Sequence, residues 1–226
     1  MITGIYSCND GGSYYVRTIS DADGQRLFWF GESADGRFSN VHIGVLRAVP
    51  SRPGAFLIDD GLWFDVPKGS IASSGKLDLR LENGTIQKLQ ATGGFGGSQW
   101  KKISGRPARA AQVNLRGFTG KGLTGVWIGS NGGTYYVHQR GAEVAWFAEG
   151  NATSDGVPAF ANVFYGRLSA NVIGYWADVP YGTTNGSGTL GLRVVNNDRL
   201  ERIGPTSGLG SQYWVRKVDW SDRLKC

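Results

Sequence analysis

The chain is poor in the residues that reactive chemistry draws on. Among 226 residues there are two cysteines, two histidines and one methionine. Two cysteines, Cys8 and Cys226, cannot build a disulfide framework and read as incidental thiols suited to a reducing compartment. No apolar run approaches the roughly 20 residues that cross a bilayer. The first ten residues, MITGIYSCND, lack the basic start and long apolar stretch of a secretory leader. The expectation is no membrane partner, with a cytoplasmic location or release without a recognisable signal. Helical patterning is missing as well, for no window offers ten glycine-free residues at a 3.6-residue period.

Charge of one sign is scarce where it would matter. The net charge of +6 would suit an acidic partner if it covered one face. Counted by segment, residues 1–103 carry 11 basic and 10 acidic side chains, and residues 122–226 carry 9 and 8. The remaining +4 sits between them, on Arg106, Arg109, Arg116 and Lys121. The excess belongs to a connector, and no nucleic-acid partner is expected.

What the chain has in quantity is glycine, 36 residues, and aromatic rings, 27 in all from 10 Phe, 8 Trp and 9 Tyr. It also says nearly everything twice. ITGIY (2–6) returns as LTGVW (123–127), and LFWFGES (27–33) as VAWFAEG (144–150). FSNVHIGVL (38–46) returns as FANVFYGRL (160–168), LWFDVPKG (62–69) as YWADVPYG (175–182), and TGGFGGSQW (92–100) as TSGLGSQYW (206–214). Repetition at this length marks a duplicated domain. The first repeat spans 1–103 and the second 122–226, with the basic linker 104–121 between them.

Within each copy, apolar and polar residues alternate in stretches such as SYYVRTI and KLDLRL, and turn pairs separate them: Asp23-Gly24, Asp35-Gly36, Asn83-Gly84, Arg140-Gly141 and Asn197-Asp198. The count comes to about eight strands per copy. Eight antiparallel strands in roughly 100 residues fit an all-β, up-and-down barrel. A β-sandwich is the alternative that periodicity leaves open.

The stretches ITGIYSCNDGGSYYV (2–16) and LTGVWIGSNGGTYYV (123–137) resemble the opening of the avidin and streptavidin family: a Thr-Gly-x-aromatic first strand, a turn, then a Gly-Ser or Gly-Thr step before an aromatic second strand. The resemblance implies a calycin-type barrel of eight strands. It assigns no ligand.

Residues identical in both copies are the candidates for a shared site. Trp63 and Asp65 fall on one face of a strand by the two-residue period, as do Trp176 and Asp178. A ring beside a carboxylate at a barrel mouth suits a sugar, whose face stacks while its hydroxyls donate. The alternative is a core tryptophan beside an aspartate that caps the next turn or pairs with Arg80. Tyr15 and Tyr136, Glu32 and Glu149, and Asn40 and Asn162 extend the candidate lining, with Trp100 and Trp214 beyond the glycine-rich approach. The carboxylates and amides among them also suit backbone donors near hairpin turns.

Catalytic sets are absent. His42 and His138 face Phe164 and Arg17 at the equivalent places, so no triad or zinc spacing is duplicated. DADG (21–24) lacks the remainder of a calcium loop. The reading is a cofactor-free, non-catalytic protein binding a small molecule or glycan, lectin-like, with one site per repeat. A barrel enzyme of the cyclase or isomerase kind, acting on an apolar molecule, and a structural module that self-associates as a homo-oligomer are the rivals.

Overall fold

A computed structural model describes residues 2–108, 118, 121–204 and 208–217. Arg109, Arg116 and Cys226 lie outside the described residues, and with them most of the expected linker. The chain divides into two compact units, Met1–Asn114 and Leu115–Cys226. Among the described residues there is no helix.

The first unit holds β1 (Gly4–Cys8), β2 (Gly12–Asp21), β3 (Gly24–Ser33), β4 (Ser39–Ala48), β5 (Phe56–Ile58), β6 (Leu62–Asp65), β7 (Ser74–Glu82), β8 (Thr85–Ala91) and β9 (Gln99–Ile103). The second holds β10 (Gly125–Gly129), β11 (Thr134–Arg140), β12 (Glu143–Glu149), β13 (Ala161–Leu168), β14 (Val172–Asp178), β15 (Ser187–Asn196), β16 (Arg199–Ile203) and β17 (Tyr213–Arg216). Each unit is a closed antiparallel barrel, sealed where β9 returns to β1 and β17 to β10. Closure removes the free edges a sandwich would leave, so the barrel is the fold and the sandwich is set aside.

In the first barrel the fifth strand is broken. Both β5 and β6 pair β4 on one side and β7 on the other. Between them Asp60 takes a left-handed φ of 58° and its amide donates to Asp78 Oδ1 at 2.7 Å. The second barrel runs straight through this region as β14.

Interior side chains stack in matching rows. Cross-strand register sets Val16, Trp29, His42, Trp63 and Gly75 side by side, and Val137, Trp146, Phe164, Trp176 and Gly188 in the second barrel. The indole of Trp29 lies 4.6 Å from the His42 ring, and that of Trp146 lies 4.3 Å from Phe164. Each large ring removes on the order of 150–250 Å² from water, worth about 4–6 kcal/mol apiece before entropy is counted.

The end of each barrel near its first residue is braced by the first strand, and in the first barrel a cavity of about 420 Å³ lies there beside Ile2, Tyr6, Phe56 and Ile86. Tyr6 donates to the Ile2 carbonyl at 2.5 Å, and Trp127 Nε1 to the Leu123 carbonyl at 3.0 Å. The second barrel adds a plug. Arg216, 7% exposed, donates to the carbonyls of Thr124, Gly122 and Asn197 at 2.6–2.8 Å while its guanidinium sits 4.5 Å from the Trp127 ring centre. The first barrel has Lys102 at that place, and it donates to the Thr3 carbonyl at 2.7 Å. Arg216→Met is therefore expected to destabilise the second barrel by about 2–4 kcal/mol, because the buried Thr124 carbonyl and two part-buried ones lose a charged donor. Arg216→Lys should recover roughly half of that, and paired thermal melts of the two variants read the difference.

Candidate functional site

Each barrel is open at the opposite end, and a cavity lies in each mouth. In the first barrel it holds about 690 Å³ and is bounded by the β1–β2 turn, the 33–38 loop, the 66–73 loop and the 92–98 loop. In the second it holds about 360 Å³ between the corresponding segments.

The two cavities share a lining. Phe38, Asn40, Trp63 and Asp65 border the first; Phe160, Asn162, Trp176 and Asp178 border the second. A glycine-rich loop closes one side of each, with Gly93–Gly96 in the first and Gly208–Gly210 in the second. Of the residues expected from the sequence, the structure thus gathers Asn, Trp and Asp from each copy around one cavity.

It does not gather the rest. Tyr14 and Tyr135 point inward, so Tyr15, Glu32, Tyr136 and Glu149 stand on the outer side of the wall. There Tyr15 stacks on Phe30 and Tyr136 donates to Glu149 Oε1 at 3.0 Å. Trp100 and Trp214 are fully buried beside Tyr14 and Tyr135, with ring centres 5.6 Å apart in both barrels, and do not border the mouth.

Most lining groups are already employed by the fold, the exception being Trp176 Nε1, which is buried and makes no hydrogen bond among the described residues. Asn40 Oδ1 accepts Trp29 Nε1 at 3.0 Å, and Asn162 Oδ1 accepts Trp146 Nε1 at 2.9 Å. Trp63 is 3% exposed, packs edge-on against Phe95 at 4.9 Å and donates to the Thr92 carbonyl at 3.0 Å. Asp65 Oδ2 accepts the Ser73 amide at 2.9 Å, and Asp178 Oδ2 the Gly186 amide at 2.6 Å, each capping the loop that follows its strand. Burial pushes Asp65 up to about 8, with the Ser73 bond pulling the other way. At neutral pH its carboxyl is mainly protonated.

The more accessible ring is Phe38, half-buried at the mouth, as is Phe160. Sequence reasoning passed over both, although FSN and FAN open the same matched segment. The double glycine of each first turn now has a reason. Gly11 and Gly132 hold φ of 82° and 77°, which only the turn requires. Gly12 and Gly133 serve space instead: a Cβ on Gly12 would lie 2.6 Å from the Phe38 ring, and one on Gly133 would meet the Phe160 ring.

Cys8 fills, from β1, the space that Ser211 fills from the opposite side in the second barrel, where Gly129 and Gly97 are the exchanged partners. Burial pushes the Cys8 thiol up to about 12, so it is packing and not a nucleophile. Among the described residues no cluster of His, Cys, Asp and Glu could hold a metal ion.

Comparison with known families, with curated proteins and with solved structures finds no match. The reading of the site therefore rests on its own geometry.

Proposed function

We propose that this is a non-catalytic binding protein in which each barrel takes one neutral, ring-sized ligand rich in hydroxyls, a sugar residue, in its mouth cavity. The observation that carries the proposal is the repeated lining: Phe, Asn, Trp and Asp border a cavity at the same end of both barrels. Both volumes fall within the usual range for small-molecule sites. A half-buried phenyl face suits the apolar face of a pyranose. The protonated Asp65 carboxyl suits a hydroxyl or ring oxygen, and Ser33, Ser73 and loop backbone supply further polar edges. Two weak sites on one chain would reinforce each other on a multivalent glycan.

Calorimetric titration of the full chain with a monosaccharide panel, followed by a glycan array, tests this. The expected result is saturable binding with two sites per chain. Phe38→Ala should weaken the first site about tenfold and leave the second unchanged, as loss of part of an apolar stacking surface predicts. No saturable binding of any sugar, or binding untouched by both Phe38→Ala and Phe160→Ala, would overturn the proposal.

A further inference from the structure

Among the polar positions at which the two mouths differ, one changes what each can hold. At the first turn of each barrel the side chain at Asp10 or Asn131 reaches back to cap the turn. Asp10 Oδ1 accepts the Gly12 amide at 2.8 Å; Asn131 Oδ1 accepts the Gly133 amide at 3.1 Å. Their other atoms meet the inward tyrosine in opposite senses. Tyr14 donates its proton to Asp10 Oδ2 at 2.6 Å, whereas Asn131 Nδ2 donates to the Tyr135 oxygen at 3.2 Å.

A second difference accompanies the first. Three residues before the last-strand tryptophan, the first barrel has Gly97 and the second Ser211. The Ser211 hydroxyl donates to Asn131 Oδ1 at 2.7 Å and lies 3.2 Å from the Tyr135 oxygen. That hydroxyl joins Asn131 and Tyr135 in a closed neutral network beneath the smaller cavity. Gly97 brings no side chain of its own to Asp10, and the Cys8 thiol takes that space, 2.8 Å from where a Gly97 Cβ would stand. Asp10 is part-exposed and borders the larger cavity. A carboxylate has about four lone-pair positions, and the amide, the phenol and the Cys8 thiol account for three.

The other charges around the first cavity do not cancel Asp10. Asp35 and Arg37 stand exposed at the rim with opposite signs. Lys88 is directed to the Phe95 carbonyl at 3.0 Å, and burial keeps Asp65 mainly neutral. What remains is one carboxylate facing a cavity lined by Tyr14, Phe38 and Phe95, an arrangement that attracts a cation beside an apolar ring. The second cavity has a carboxamide at that place.

We propose that the two sites differ in ligand class: the first selects a sugar carrying a protonated amine, and the second a neutral sugar. This rests on the sugar-binding reading above. Glucosamine and glucose are the probes, titrated calorimetrically into the full chain. Glucosamine is expected to bind the first site about 10–100-fold more tightly than glucose, the range a charge-assisted hydrogen bond provides. Asp10→Asn should remove that preference, bringing the glucosamine affinity of the first site down to that of glucose. Asn131→Asp should create the same preference at the second site, read in an Asp10→Asn, Phe38→Ala background in which the first site is weakened and has lost its own preference. The second barrel already carries asparagine in this turn, and a melting curve verifies that Asp10→Asn remains folded; if it does not, Asn131→Asp with Phe38→Ala, compared with Phe38→Ala alone, decides. Equal affinity for the two sugars, or a preference that survives Asp10→Asn, overturns the amine assignment and leaves sugar binding standing. Loss of both sugars in a folded Asp10→Asn variant makes Asp10 a general contact and also overturns it. Failure of both probes and of the wider panel overturns the two proposals together.

Discussion

Trp63→Ala is expected to cost the first barrel about 3–5 kcal/mol, and Trp176→Ala the same in the second. The indoles are 3% and 1% exposed, and each lies in the row that crosses its barrel from β2 or β11 to β7 or β15. Truncation leaves a void that the closed ladder cannot collapse around, and in the first barrel it strands the Thr92 carbonyl that Trp63 Nε1 serves at 3.0 Å. Against a typical domain stability of about 5–15 kcal/mol, that loss brings a barrel near its threshold. Calorimetric melting of the full chain should show one barrel shifted well down while the other holds its transition. Trp63→Phe separates packing from contact, because it keeps most of the ring and loses only the indole N–H. It should recover more than half of the lost stability. A folded Trp63→Ala variant with an unshifted melting curve would show that the indole is not structural and would return it to the role of an exposed stacking platform.

That result would also test how far the sequence could be read. The duplication, the eight strands per copy and the turns at Asp23-Gly24, Asn83-Gly84 and Arg140-Gly141 were legible, since alternation and turn residues are local signals. Gly24, Gly84 and Gly141 all hold positive φ, as does Asn83 at 50°. The phase of the alternation was not legible. SYYV and TYYV alternate equally well either way, and only pairing of β2 with β1 and β3 decides that Tyr14 and Tyr135 face inward. Tyr15, Tyr136, Glu32 and Glu149 were assigned to the lining for that reason and stand outside it. The break between β5 and β6 went unread although Asp60-Gly61 is a turn pair of the same kind, and Asp60 turns left-handed there. Identity between the copies found Asn40, Trp63 and Asp65 but could not divide fold from site, since each borders the cavity and also bonds within the fold. It could not find Asp10 at all, because the copies differ there.

A loss of first-barrel stability as pH rises from 6.5 to 8.5 is the other large effect expected, with Asp65 as its source. The Asp65 carboxyl is raised by burial from 3.8 to about 8, so between those values the folded state binds a proton that the unfolded chain has released. Its stabilising contribution is complete below pH 3.8 and is lost as pH rises through 8. His42 acts in the opposite sense. Burial lowers it from 6.5 to about 4 despite the Leu77 carbonyl 3.2 Å from Nε2, so its contribution is complete above pH 6.5 and is lost as pH falls toward 4. Between pH 4 and 6.5 the two slopes oppose each other, and above 6.5 only the Asp65 slope remains. One pKa unit corresponds to about 1.4 kcal/mol, so about 2 kcal/mol should disappear between pH 6.5 and 8. Asp65→Asn keeps an oxygen for the Ser73 amide and cannot ionise; it should hold its stability flat over that interval. His42→Phe copies Phe164 of the second barrel, whose ring stacks on Trp146 at 4.3 Å, and should be more stable than the parent at pH 4–5 and indistinguishable in slope above 6.5. Urea midpoints at pH 5, 6.5 and 8.5, read as variant minus parent so that other titrating groups cancel, measure both effects. An Asp65→Asn variant that still weakens in step with the parent above pH 6.5 would show that the carboxyl ionises freely in the fold, and with it would go the protonated donor assigned to the cavity.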